Sequence, residues 1–178
     1  MPQARLDTPL WPSFGLFLVL SFPALGCGSD VGRDGASPAN PLDSVETTLV
    51  SELNGARAAA GAPTLTVCRS LNVSAAAHSD EMRDFGYLND VGKDGSMPRE
   101  RACEAGYKPA CDNVFMAELV ASGSEDPVHT VGQWKGDAES NKALLEPALR
   151  VLGVGVSYGE EEPVWTVDLG GSDDPSCP

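Results

Sequence analysis

Basic side chains are scarce in this chain: 12 Lys and Arg stand against 26 Asp and Glu, for a formal charge of −14. A field of that sign repels polyphosphate, and no local basic stripe offsets it, so nucleic acid is excluded as a partner. Adsorption to anionic lipid headgroups is excluded for the same reason. Histidine is scarcer still, with two in the chain. His78 and His129 share no H-x-x-x-H spacing, no G-x-S-x-G elbow presents a nucleophilic serine, and no C-x-x-C pair is present. No apolar run reaches the roughly 20 residues that cross a bilayer. What remains is ordinary globular composition, 42% hydrophobic and 21% charged, made loop-rich by 19 Gly and 14 Pro. At 178 residues the chain has room for one folded domain plus extras.

The extras lie at the N-terminus. Trp11 to Leu25 is apolar or small throughout and is interrupted by Pro12 and Pro23, which suits a signal segment over residues 1–26. Ala24-Leu25-Gly26-Cys27 resembles a bacterial lipoprotein signal, in which the cysteine becomes the lipidated first residue. Ala24, where such signals usually have Leu, and the lone Arg5 beside Asp7 are departures from that pattern. Plain secretion and a buried N-terminal helix are the alternatives. A lipidated Cys27 would make acyl burial the sole membrane attachment, at about 0.8 kcal/mol per CH₂. Residues 27–41 hold almost no large apolar side chain and read as a flexible tether. The rest divides into a compact domain at 42–171 and a short tail at 172–178 that carries Cys177.

With Cys27 set aside, Cys68, Cys103, Cys111 and Cys177 form an even set in an exported chain, which implies two disulfides. Of three connectivities the preferred one joins Cys103 to Cys111 across a short loop and Cys68 to Cys177, which ties the tail to the body. Four such scattered cysteines make a poor zinc site.

Apolar residues at three- and four-residue steps predict a helix over Ser44–Ala60, with Asp43 and Glu46 as its capping box and Gly61 as its stop. Leu71, Ala75, His78, Met82 and Phe85 predict a second helix from about Cys68 to Phe85, ended by Gly86. Pro98 and Pro127 mark the starts of two more, and a further turn or two is expected over Ala138–Glu146. The period then shifts to alternation. Val151–Tyr158, a turn at Gly159–Pro163 and Val164–Leu169 form a C-terminal β-hairpin, which makes the fold class α+β.

The order of segments resembles bacterial CAP (SCP-type) domains, relatives of cysteine-rich secretory, antigen 5 and pathogenesis-related 1 proteins. The resemblance is carried by Leu53–Met82, by Asp94–Tyr107 (DGSMPRERACEAGY), by Asp112-Asn113-Val114, by Trp134 and by Val151–Val156 (VLGVGV). It implies a three-layer α-β-α sandwich with a cleft on one face. Many members line that cleft with two histidines and acidic residues that hold a divalent metal. Here the matching positions are Asp90, Asp112 and Ser140, and both histidines are replaced. Hard oxygen donors alone suit zinc poorly, so no metal and no other cofactor is expected. A calcium loop beginning at Asp90 fails, because Gly92 and Arg101 stand where ligands are needed.

His78 falls on the apolar stripe of its helix and reads as a core or boundary histidine, with a cleft role as the alternative. Asn113 is a second possible cleft-lining residue, and His129 belongs on the surface. With no catalytic residue assigned, the expectation is a non-catalytic binding module at the cell envelope whose ligand is a lipid, glycan or protein. The alternative is a metal- or carboxylate-dependent hydrolase of cell wall or peptides that uses Asp90 and Asp112 as acid and base.

Overall fold

The computed structural model describes residues 42–160 and 162–177. The signal segment, Cys27 and the tether lie outside the described residues. The elements run α1 (Ser44–Ala59), β1 (Thr66–Val67), α2 (Arg69–Phe85), α3 (Pro98–Glu104), α4 (Lys108–Cys111), β2 (Met116–Ser122), α5 (Pro127–Gly136), α6 (Ala138–Leu144), β3 (Val151–Ser157) and β4 (Val164–Gly170). No described helix is long and apolar enough to cross a membrane.

Helix ends follow the chemistry read from the sequence. The Asp43 carboxylate accepts from the Val45 and Glu46 amides at 2.8 Å each, and Glu46 accepts from the Asp43 amide at 2.9 Å, closing the capping box. α2 stops at Gly86, whose φ of +63° is the left-handed conformation that glycine adopts without penalty. The hairpin forms as expected. β3 and β4 pair antiparallel with Val154 opposite Val167.

Two strands are additional to the sequence reading. β2 pairs antiparallel with β4, and the two-residue β1 pairs parallel with β3, giving the order β1-β3-β4-β2. Both disulfides match the preferred connectivity: Cys68 bonds Cys177 and Cys103 bonds Cys111. The tail is thereby tied to the start of α2, where Ser70 and Ser176 also share a hydrogen bond of 2.6 Å.

Alternation along the strands sends apolar and polar residues to opposite faces of the sheet. Leu119, Ala121, Leu152, Val154, Trp165, Val167 and Leu169 pack with Leu49 and Leu53 of α1, Val131 and Trp134 of α5 and Leu144 of α6 in the main core. Arg57 is fully buried beside that core. Its guanidinium donates to the carbonyls of Pro63, Leu144 and Glu146, fastening α1 to the end of α6.

The other face carries Gly153, Gly155, Thr166, Asp168 and Glu118 and is covered by α2 and α3. A Cβ on Gly153 would lie 2.1 Å from the Leu71 carbonyl carbon, and one on Gly155 would lie 2.3 Å from the Ala76 amide nitrogen. Glycine at both positions is what lets α2 rest on the sheet backbone. Polar bonds seal the contact: Ser79 Oγ donates to the Gly155 carbonyl at 3.0 Å, and Asn72 Oδ1 accepts from the Val154 amide at 3.0 Å.

Candidate functional site

Strand register sets the floor of the site. Asp168 on β4 stands directly opposite Glu118 on β2 and opposite Gly153 on β3. Helical spacing on α2 then brings Ser74 and His78 over this row, and α3 contributes Arg101. The result is a layer of ionisable groups between sheet and helices, where a core would ordinarily be apolar.

Arg101 is its hub. Its Nη2 donates to Glu118 Oε2 at 2.8 Å, to Glu118 Oε1 at 3.0 Å and to the Asp90 carbonyl at 2.8 Å, while Nη1 donates to the Ser96 carbonyl at 2.7 Å. The Glu118 side chain is 1% exposed, so this is a desolvated ion pair with geometry good enough to offset its burial. His78 lies on the other side of Glu118: its Nε2 is 3.5 Å from Glu118 Oε1 and 2.9 Å from the Asn89 carbonyl, and its Nδ1 is 3.2 Å from Glu81 Oε2. Glu81 also accepts from the Tyr87 hydroxyl and the Lys93 amide at 2.8 Å each. Burial and the neighbouring Glu81 push the Tyr87 hydroxyl up to about 12.

Glu118 and Asp168 form a carboxyl pair. Burial, then the facing Asp168 charge, raises Glu118 far above the usual carboxylate range, and burial raises Asp168 as well. Two carboxylates this close in a desolvated layer cannot both ionise, so the pair titrates as a unit that keeps one proton at neutral pH. Asp168 lies beside Glu118 and Ser74, yet neither its oxygens nor the Ser74 hydroxyl make a well-formed hydrogen bond.

Two hollows flank Arg101. A cleft of about 410 Å³ is lined by Asp90, Met97, Arg99, Glu100, Met116 and Glu118. The second, about 360 Å³, is lined by Ser74, His78, Glu81, Ser96 and Arg101. Arg101 thus lines one hollow and holds the carboxylate that lines the other.

Of the residues expected at the cleft, Asp90 lines it. Asp112 does not: it is an exposed residue at the C-cap of α4, and Glu118 supplies the carboxylate of the cleft floor. Ser140 does not line it either, lying in the first turn of α6, where its amide is capped by Asp137 at 2.8 Å. His78 is buried beneath the site and lines the second hollow, not the cleft that Asp90 lines. Asn113, at φ +67°, touches the cleft wall by accepting a hydrogen bond from Arg99. His129 is exposed on α5.

Glu118, Asp168 and Glu81 were not singled out in the sequence, and Arg101 figured there only as a residue that spoils a calcium loop. The available signal was Glu118-Leu119-Val120, a glutamate followed by the apolar residues of a strand, which competes with Asp112-Asn113-Val114 for the same role. A divalent metal does not fit this cleft. Both Glu118 oxygens are engaged by Arg101, and among the described residues no group of three or more His, Cys, Asp and Glu is placed to hold a metal ion.

Comparison with known proteins agrees with this architecture. The family model of the CAP, cysteine-rich secretory protein family matches residues 50–169. The chain is similar to the uncharacterized protein YkwD of Bacillus subtilis, at 27% identity over 132 residues, which is 73% of this chain and 48% of that protein. It therefore spans about half the length of that relative. An outer surface protein of Borrelia burgdorferi superposes with a TM-score of 0.65 at 16% identity, over 74% of this chain and 97% of that one. An extracellular SCP-domain protein of Bacillus anthracis superposes with a TM-score of 0.60 at 18% identity, over 75% of this chain and 45% of that one. The α-β-α layering, the paired sheet and the matched span together show that the chain belongs to the CAP family of cysteine-rich secretory proteins.

Proposed function

We propose that this protein is an exported, non-catalytic binding module of the cell envelope, held there through a lipidated Cys27. Its cleft recognises a lipid, glycan or protein ligand without converting it. The observation that carries this reading is the Arg101–Glu118 pair. The one buried carboxylate at the cleft floor has both oxygens bonded to a guanidinium, so it is spent as a general base and as a metal ligand alike. The exposed apolar lining of the cleft, with Met97 at 47% exposure, leaves surface that a ligand can cover.

Export is supported by the extracellular and outer-surface descriptions of the similar structures and by the two disulfides. The alternative, a hydrolase using Asp90 and Asp112, loses support because these two residues do not line a common cavity.

The test has two arms. Mass spectrometry of the membrane-extracted protein is expected to find a diacylglyceryl group on Cys27, and Cys27→Ser is expected to release the protein into the medium; an unmodified cysteine would end the anchoring claim. Elemental analysis and peptidase and muramidase assays on the same protein are expected to find substoichiometric metal and no turnover. Chelator-sensitive hydrolysis would reverse the functional reading.

A further inference from the structure

A hollow of about 710 Å³ lies away from the cleft, at the hairpin end of the sheet. It exists because α2 ends early. Gly86 turns the chain out of the helix, so the ends of β4 and β2 emerge beyond the helical layer, and the β3–β4 turn rises as the opposite wall. Met82 and Val164 form a buried apolar floor, Tyr87 a half-buried side, and Leu88 lines the groove at 46% exposure.

The charge around this floor has one sign. Glu160 and Glu162 line the groove and are exposed. Arg83 is the one cation that lines it, and its guanidinium is already bonded to Asp80 and Asp84 at 2.8 Å each. The carbonyl end of α2 points to the same place and adds the negative pole of the helix dipole. A neutral apolar ligand would leave the glutamates unused, and a small hydrated cation would leave the floor unused.

The third feature is backbone. β2 is the outer strand of the sheet among the described residues. The Val120 carbonyl on its outer edge is taken by Trp134 Nε1 at 3.0 Å. By the two-residue period, the next outward-facing position is Ser122, which lines the groove. The Glu162 carboxylate lies beside it, 3.1 Å from where a Cβ on Gly123 would be. An extended peptide can use an open strand edge, whereas a free amine cannot.

We propose that this groove is a second binding site, distinct from the cleft, for an extended basic peptide. One large apolar side chain would cover Met82, Val164 and Leu88, and lysine or arginine side chains would pair with Glu160 and Glu162. The inference is independent of the reading of the cleft.

The experiment is fluorescence anisotropy of a fluorescein-labelled peptide of alternating leucine and lysine, titrated with the intact protein. Glu160→Gln with Glu162→Gln is expected to weaken binding about tenfold, which is two exposed ion pairs' worth. Leu88→Ser is expected to weaken it severalfold, and Met97→Ser in the cleft to leave it unchanged. All these side chains are exposed, and near-ultraviolet circular dichroism verifies that each variant keeps its fold. Equal binding by the double glutamine variant, loss of binding in Met97→Ser, or equal binding of a leucine–glutamate peptide would each overturn the proposal. Competition by octylamine at the concentration effective for unlabelled peptide would overturn the assignment to a peptide.

Discussion

The two faces of the sheet are made by alternate residues of the same strands and do different work. Toward α1, α5 and α6 the strands present leucine, valine and tryptophan, and stability there is buried apolar area. Toward α2 and α3 they present Gly153, Gly155, Thr166, Asp168 and Glu118, and order there comes from close approach and specific polar bonds. Ser79 illustrates the second regime: its one hydroxyl donates to the Gly155 carbonyl at 3.0 Å and lies 2.9 Å from Thr166 Oγ1, from which it can accept. The difference teaches where chemistry can be placed. An apolar layer tolerates repacking and offers nothing reactive, while a layer held by hydrogen bonds and ion pairs carries titratable groups to a cavity wall at a stability cost borne by the first face.

That contrast can be broken by substitution on either side. The largest effect is expected from Gly153→Ala, because the added methyl would meet backbone atoms of α2 at 2.1 to 2.4 Å with no flexible side chain to give way. Loss of the cooperative unfolding transition, or a cost above about 4 kcal/mol, is expected by urea denaturation. A variant as stable as wild type would show that α2 does not rest on the sheet as described. On the apolar face Leu152→Ala is expected to cost about 3 kcal/mol, through lost area plus the cavity left behind, at every pH tested. Arg101→Met is expected to cost a similar or slightly smaller amount at pH 7, because the one negative charge held by the Glu118–Asp168 pair is left buried without its countercharge. Its cost should shrink as the pH is lowered and the Glu118–Asp168 pair takes up its second proton. If the Leu152→Ala and Arg101→Met profiles ran parallel in pH, the two faces would not differ in kind.

Elements that bury a continuous apolar stripe were the legible ones, whichever face of the sheet they cover. Three- and four-residue steps marked α1 and α2, alternation marked β3 and β4, and Gly61 and Gly86 punctuated the helices, because a single buried stripe leaves its period in the sequence. β2 escaped for a physical reason. Met116–Ser122 has Glu118 in its middle and one apolar and one polar face, so no run of strand formers stands out until Asp168 is known to lie opposite. β1 is two residues long and is defined only by its pairing with β3. The site was half legible for the same reason. Asp90 lies in a loop whose D-G-S turn is local, whereas Glu118 and Arg101 meet only through tertiary packing, and Asp112-Asn113-Val114 offered a nearer match in sequence. Cysteine count, by contrast, implied two disulfides, and the preferred of three connectivities, the short loop with the remaining pair, is the one observed.

The smallest effect sharpens the comparison most. In the unfolded chain Glu118 and Asp168 ionise near pH 4. In the folded protein burial and mutual repulsion raise both, Glu118 to about 10, so across that interval the native state binds more protons than the unfolded one. Stability from the pair is therefore fully present below pH 4 and is lost as pH rises toward the folded value, the opposite slope from Glu81 and Asp174, whose carboxyls are lowered. Asp168→Asn keeps the shape and removes one of the two competing charges. It is expected to be about 1 kcal/mol more stable than wild type at pH 8, to lose that advantage by pH 4, and to leave the Leu152→Ala cost unchanged when the two are combined, as measured by urea denaturation at each pH. An Asp168→Asn curve displaced from wild type by a constant amount would mean the pair holds no shared proton, and the polar face would then be ordered by packing alone.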